Sequence, residues 1–150
     1  MPSWEDWSRA RLPAARLVAR ENPGHPDDGA REGKPGGGSA GEVRGWAALS
    51  PVSARAVYRG VGAVSIYVDP AHVRRGIGRA LLSALVAASE RAGLWTLEAG
   101  IFPENRASVA LHGRCGFELV GVRRRVGQMP DGRWRDVALY ERRSASVGQD

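Results

Sequence analysis

Two glycines stand among three arginines where an extended run of the chain gives way to a helical pattern. The stretch VRRGIGR places Gly76 and Gly78 beside Arg74, Arg75 and Arg79. A glycine loop that leads into a helix directs several free backbone N–H groups at one point, and the positive end of the helix dipole reinforces them. Arginines add charge-assisted hydrogen bonds to anions. The spacing therefore predicts a binding site for a phosphate-bearing ligand.

Two common nucleotide-binding motifs do not fit this stretch. A dinucleotide-binding loop requires a third glycine where this chain has Leu81, and a P-loop requires a Gly-Lys-Ser/Thr ending. A plain glycine turn flanked by solvated arginines would give the same letters. The motif alone leaves both interpretations open.

The segments on either side of the loop predict a strand and a helix that hold it. In GVGAVSIYVDP, apolar side chains alternate with Ser65 and Tyr67, which is typical of a strand, and Pro70 ends it. From Ile77 onward, apolar residues recur at helical spacing until Gly93, which predicts an amphipathic helix.

The remaining pattern predicts an α/β domain with parallel pairing at its centre. Further strands are expected at residues 16–19, 45–50, 94–102, 117–126 and 133–143, with a second helix in PENRASVALHGRCG. Residues 21–45 are rich in glycine and proline and poor in large apolar side chains, which favours a flexible loop. A chain of 150 residues fits a single domain, 1–150.

Composition narrows the partners and the chemistry. The net charge of +6 suits an anionic ligand, and a nucleic-acid-binding module is the alternative function from another class. The arginines are scattered, however, and no aromatic-basic stacking surface is evident, so no nucleic-acid partner is expected. No apolar run reaches about 20 residues, so we expect no membrane partner and a cytoplasmic location. Cys115 is the only cysteine, which excludes an internal disulfide and a thiolate metal cluster, and no metal is expected.

Longer stretches add a family resemblance. The glycine loop entering a helix, followed by a strand and PENRASVALHGRCGFELVG, resembles the GNAT superfamily of acetyl-CoA-dependent N-acetyltransferases. GVGAVSIYVDP, AGIFPENRASVALHGRCGFELVGVRRRVG and GRWRDV are similar to the phosphinothricin and L-amino acid (methionine sulfone or sulfoximine) N-acetyltransferases. The resemblance covers about residues 16–143, interrupted by the 21–45 loop.

The resemblance implies a fold and a reaction. The fold is the GNAT fold, a mixed central sheet with helices on both faces, here lacking the family's first strand and helix. The reaction is direct transfer of the acetyl group from acetyl-CoA, as co-substrate, to the amino group of a small amino acid or an analogue such as phosphinothricin. The small-molecule amine is the expected partner, and a homodimer is left open.

It also assigns roles to individual residues. The strand lends backbone groups to the acetyl and pantetheine arm, and the loop wraps the pyrophosphate; these residues are Ile66, Tyr67, Val68, Arg74, Arg75, Gly76, Ile77, Gly78 and Arg79. Asn105 is implied to hydrogen-bond the pantetheine arm, although a helix-capping role fits the same position. Tyr58 and Arg59 are implied to border the acceptor pocket, where Arg59 could pair with a substrate carboxylate; a surface arginine beside an aromatic ring is the alternative.

His112 occupies the position at which many superfamily members carry a tyrosine that protonates the leaving thiolate. Histidine can donate that proton, but a histidine on a helix is often only a partly buried side chain. Cys115 is expected in the core rather than as a nucleophile, and Trp134 at the pocket wall.

The general base is the part of the reaction without an assigned residue. The resemblance implies a glutamate where this chain has Ala63. Glu98, Asp136 or a water held by backbone carbonyls could replace it. The alternative is a degenerate member that binds acetyl-CoA with little or no transfer.

Overall fold

A computed structural model describes residues 16–20, 31–32 and 41–149 of the chain. In this part the chain forms one sheet of seven strands with two helices. The strands are β1 (Arg16–Arg20), β2 (Arg31–Glu32), β3 (Val43–Pro51), β4 (Val61–Val68), β5 (Thr96–Ile101), β6 (Glu118–Gln128) and β7 (Trp134–Arg143). The helices are α1 (Ile77–Arg91) and α2 (Arg106–Arg114), and short 3-10 turns span Ala56–Tyr58 and Pro70–His72.

The sheet is mixed, as the sequence predicts. Its strand order is β2-β1-β3-β4-β5-β7-β6. Only β4 and β5 pair in parallel, and α1 forms the connection between them; the other neighbouring strands are antiparallel. A parallel pair needs such a crossover connection, which explains why the change from a strand period to a helical period at residue 77 marks the centre of the fold.

Helix α1 supplies most of the helical side of the core. Leu81, Leu82 and Leu85 are fully buried, which agrees with the helical spacing of its apolar residues. The helix ends just before Gly93, whose φ of +80° is a left-handed conformation that glycine adopts without strain. The predicted helix and its C-terminal glycine are therefore confirmed.

Both described helices lie on the same face of the sheet. A Cβ built on Gly78 of α1 would lie 3.2 Å from Leu111 of α2, and Ser83 Oγ of α1 lies 3.9 Å from Cys115 Sγ just after α2. Apolar side chains of both helices pack against one core cluster. The described residues thus show helices on one face, and a helix on the other face stays a prediction.

The segment expected to be a loop, 21–45, contains two stretches of strand where it is described. Arg31–Glu32 pairs with β1, and β3 begins at Val43 rather than Gly45. Backbone hydrogen bonds to a neighbouring strand do not require large apolar side chains, so composition could not show this pairing. The rest of that segment, and the N-terminal residues behind the expectation of a missing first strand and helix, lie outside the described residues.

Strand β6 forms an edge of the sheet. Among the described strands it pairs only with β7, and Leu119, Val120 and Val122 on it are at least half exposed. Within the described ranges, neither helix is both long and apolar enough to cross a bilayer.

Candidate functional site

The central parallel pair of strands separates soon after it forms. β4 and β5 pair at Val61 with Thr96, Gly62 with Leu97 and Ala63 with Glu98, and the pairing ends there. β4 continues to Val68, while the rest of β5 pairs only with β7. Backbone groups on the facing edges beyond Ala63 therefore do not pair with each other. The result is a wedge, open toward the C-terminal ends of both strands, in which an extended ligand could hydrogen-bond like a strand.

The glycine loop lies at the open end of this wedge and leads into α1 without a side-chain cap. Gly76 is the N-cap residue of α1, and the first helical hydrogen bond runs from the Ala80 N–H to the Gly76 carbonyl at 2.9 Å. In α2, by contrast, Asn105 Oδ1 accepts a hydrogen bond from the Ser108 N–H at 3.1 Å. The N–H groups of residues 77–79 thus precede the helical ladder, and the helix dipole favours an anion beside them.

The loop also holds an unusual backbone conformation. Arg74 has a φ of +62°, one of only two positive values for non-glycine residues in the described part of the chain. The left-handed region costs an L-residue about 1–2 kcal/mol, and such conformations cluster at binding sites. Arg74, Arg75 and Arg79 of this loop and the first turn of α1 are all exposed. Conformation and charge here fit a phosphate-bearing ligand.

The two glycines have different physical roles. Gly76 has a φ of +80°, and nothing lies within 4 Å of a Cβ built on it, so its requirement is conformational. A Cβ on Gly78 would instead lie 3.2 Å from Leu111 Cδ2 and 3.5 Å from Val68 Cγ2. Gly78 therefore lets α1 pack against α2 and β4. The structure thus gives Gly78 a packing role that the sequence did not show, and its place in the phosphate site stays a prediction.

A polar network that the sequence analysis missed holds the turn before the loop. Asp69 Oδ1 accepts from the Ala71 N–H at 3.0 Å, and Asp69 Oδ2 accepts from His72 Nδ1 at 2.9 Å. Arg44 of β3 lies 4.0 Å from the same carboxylate. The bond from Ala71 and then the bond from His72 lower the pKa of Asp69. Asp before Pro is a sequence signal for such a turn.

The strand residues expected to contact acetyl-CoA end β4 shortly before the loop, and Asn105 precedes α2. Ile66 and Val68 direct their side chains toward the core, and Tyr67 is half exposed and stacks against Trp46 with ring centroids 6.5 Å apart. The backbone of these residues borders the wedge. Asn105 caps α2, which confirms the capping interpretation, and its side chain is exposed, so the amide N–H groups could still reach a ligand.

Tyr58 and Arg59 lie at the opposite end of β4 from the loop. Arg59 precedes β4 by two residues; at about 3.3 Å per residue, the start of β4 at Val61 is about 23 Å from Val68 and about 7 Å from Ala63. The Arg59 guanidinium lies 5.4 Å from the Trp95 ring centroid and donates to the Ala56 carbonyl at 3.4 Å. The structure thus places this pair nearer the closed end of the wedge than the phosphate loop.

His112 is buried in α2, with a 2% exposed surface, against the edge of the Phe117 ring. Its Nδ1 lies 2.8 Å from the Ser108 carbonyl, which only accepts, so Nδ1 carries the proton. Nε2 is buried and has no hydrogen-bond partner among the described residues. Burial lowers the pKa of His112 and favours the neutral form, in which Nε2 presents a lone pair.

Asp136 and Trp134 lie away from the closed end of the wedge. Asp136 Oδ1 accepts a hydrogen bond from the Arg125 N–H at 2.7 Å, which holds a bulge where Arg125 has a φ of +50°. Both side chains line a cavity of about 620 Å³ beyond the C-terminal end of β5, together with Pro103, Glu104, Arg133 and Arg135. Asp136 therefore has a structural task of its own.

The remaining predicted features concern metal and thiol chemistry. Over the described ranges, no three or more His, Cys, Asp or Glu side chains are close enough to hold a metal ion. Cys115 packs against the core cluster, as expected for a small core side chain.

Comparison with known proteins places this geometry in context. The profile of the Acetyltransferase (GNAT) family matches residues 3–117. The chain is 42% identical to the phosphinothricin N-acetyltransferase of Streptomyces coelicolor over 101 residues, which are 67% of this chain and 58% of that protein. It is 36% identical to the L-methionine sulfoximine/L-methionine sulfone acetyltransferase of Pseudomonas aeruginosa over 118 residues, 77% of this chain and 68% of that one.

A solved structure agrees in fold. The GNAT superfamily phosphinothricin acetyltransferase of Sinorhizobium meliloti, in complex with AcCoA, superposes with a TM-score of 0.67 at 36% identity over 73% of this chain and 59% of that one. This chain thus spans between about three fifths and two thirds of the length of these relatives.

Proposed function

Because the chain belongs to the GNAT acetyltransferase family, we propose that it binds acetyl-CoA and transfers the acetyl group to the amino group of a small amino acid or an analogue such as phosphinothricin. The separation of β4 from β5 after Ala63, next to the uncapped N-terminus of α1, is the observation that carries the proposal. The relatives named for phosphinothricin and methionine sulfoximine support the acceptor class.

In this proposal the ends of the co-substrate have different binding groups. The pyrophosphate binds to the N–H groups of residues 77–79 and to the positively charged side chains of Arg74, Arg75 and Arg79. The pantetheine arm runs along the backbone of residues 66–68, with the Asn105 amide beside it. Acetyl-CoA supplies an activated thioester, so no enzyme-bound acetyl group is needed and Cys115 stays a core residue.

The proposed proton donor to the leaving thiolate is His112. Donation requires the protonated ring, in which Nδ1–H stays on the Ser108 carbonyl and Nε2–H is the proton available for transfer. Since burial lowers the pKa of His112, this form is the minor one at neutral pH. The contribution of His112 should therefore decrease as the pH rises.

The acceptor binds, in this proposal, near the closed end of the wedge. Tyr58 and Arg59 lie on that side, and Arg59 could exchange its contact with Trp95 for a substrate carboxylate. Such an exchange is a side-chain movement at the surface.

Release of free thiol from acetyl-CoA tests this function. The protein is incubated with acetyl-CoA and each of the amino acids, methionine sulfoximine or phosphinothricin, and the acetylated product is identified by mass spectrometry. We expect thiol release that depends on one acceptor class. Ala63 favours a second candidate, a domain that binds acetyl-CoA without transfer; it would show tight binding of acetyl-CoA and no thiol release with any acceptor.

A further inference from the structure

The closed end of the wedge carries one carboxylate. Neither β4 nor β5 contains an acidic residue other than Glu98. Glu98 pairs in register with Ala63, and these two residues are the last pair before the strands separate. A thioester held in the wedge would place its carbonyl just beyond this pair.

The side chains of Ala63 and Glu98 point to the face that is free of helices in the described part of the chain. At the preceding pair, a Cβ on Gly62 would lie 2.9 Å from Leu94 Cδ2 and 3.4 Å from Leu97 Cδ2, so that pair faces the core. Successive residues of a strand alternate between faces, and residues in register share a face. Glu98 is therefore outside the core, and it is partly exposed.

Glu98 is also available to react. No hydrogen bond or ion pair joins its carboxylate to any other described residue. Three other carboxylates around the wedge are engaged: Asp69 by His72, Glu104 by Arg135 at 2.6 Å, and Asp136 by the Arg125 N–H. A carboxylate without a partner at this place can accept a proton from an incoming amine, or attract its ammonium form.

We propose that Glu98 is the general base of the acetyl transfer, because Ala63 has no side-chain group that could accept a proton. This proposal rests on the proposed function. The acceptor ammonium gives one proton to the Glu98 carboxylate and becomes a neutral amine. The amine nitrogen attacks the thioester carbon, its C–N bond forms and the C–S bond breaks. The departing sulfur takes the Nε2–H proton of His112 and leaves as free thiol, the second nitrogen proton reprotonates His112 through water, and Glu98 returns its proton to water.

The test compares Glu98→Gln with Glu141→Gln. Glu141 pairs in register with Glu98 from β7, one strand farther from the wedge, so it is a matched control. At pH 7 we expect Glu98→Gln to lower kcat/KM for the acceptor by about 10²-fold or more, because a positioned base contributes about 10²- to 10⁴-fold. The loss should shrink toward pH 10, where the amine is already neutral. Glu141→Gln should change kcat/KM by less than about threefold, and the Kd for acetyl-CoA should be the same in all three proteins.

A rescue variant separates base catalysis from a structural role. Ala63→Glu added to Glu98→Gln returns a carboxylate to the same pair of positions on the neighbouring strand, and part of the lost activity at pH 7 should return. Two results would overturn the role of Glu98 while leaving the proposed function intact. One is a kcat/KM of Glu98→Gln within threefold of that of the active parent, and the other is a loss of kcat/KM that is equal from pH 7 to pH 10. Binding of acetyl-CoA with no transfer by the parent would overturn the proposed function and, with it, this role.

Discussion

Replacing Gly76 with alanine tests the phosphate loop without adding a clash. Gly76 has a φ of +80°, and no atom lies within 4 Å of the Cβ that alanine would add. The cost is therefore conformational, about 1–2 kcal/mol for an L-residue in the left-handed region. If the free loop relaxes to another conformation, that cost appears when acetyl-CoA binds. We expect the Kd for acetyl-CoA to rise about 5- to 30-fold, since 1.4 kcal/mol corresponds to a factor of ten.

Gly93 provides a matched control at the other end of α1. It has the same φ of +80° and equally open space, but its turn is held by hydrogen bonds from the Gly93 N–H to the Glu90 carbonyl and from the Leu94 N–H to the Ser89 carbonyl. Gly93→Ala should therefore lower the free energy of unfolding by about 1 kcal/mol, or the Tm by about 2–4 °C. Its Kd for acetyl-CoA should equal that of the parent.

Titration calorimetry with acetyl-CoA and chemical denaturation of the three proteins measure both effects. A Gly76→Ala variant that binds acetyl-CoA as tightly as Gly93→Ala and the parent would refute the inference that this loop binds the pyrophosphate.

Three further predictions concern the surrounding structure. His72→Ala should raise the KM for acetyl-CoA several-fold with kcat unchanged, because the turn before the loop loses the hydrogen bond from His72 to Asp69. His72→Asn keeps an N–H donor and should have the KM of the parent. Equal KM values for all three proteins would contradict this prediction. The hydrogen bond from Arg142 lowers the pKa of Glu90. The parent should therefore be more stable than Glu90→Gln above the ordinary Glu pKa, and this difference should vanish as the pH falls through the lowered pKa. Chemical denaturation at pH 7 and pH 3 measures the difference, and equal values at both pH would contradict the prediction. Burial lowers the pKa of His112, so the parent should lose stability as the pH falls through about 6.5, where the unfolded chain binds the proton first; His112→Phe should lack that loss, and parallel pH curves for both proteins would argue against it.

The elements of the fold were largely predictable because periodicity reports local structure. The change of period at Ile77 and the stop at Gly93 predicted α1, and the stretch PENRASVALHGRCG, with Asn105 as a possible cap, predicted α2. Residues 31–32 were not predictable as strand, because their pairing with β1 depends on backbone hydrogen bonds that leave no mark in composition.

The candidate site was predictable at the loop and not at the closed end of the wedge. The neighbouring residues in the sequence place Gly76 at a helix N-terminus. The register of Ala63 with Glu98, by contrast, is set by pairing between two strands that α1 separates in the sequence. The packing of Gly78 against Leu111 likewise joins two helices that are distant in sequence. Sequence could name Glu98 and Asp136 as equal candidates for the base, and only the contacts of each separate them.

A crystal structure of the protein with bound acetyl-CoA tests the site most directly. We expect the pyrophosphate on the N–H groups of residues 77–79, the pantetheine arm along β4 from Val68 toward Val64, and the thioester beside Ala63 and Glu98. Acetyl-CoA bound elsewhere, with β4 and β5 still separated and the loop free of phosphate, would contradict the assignment of this wedge as the acetyl-CoA site.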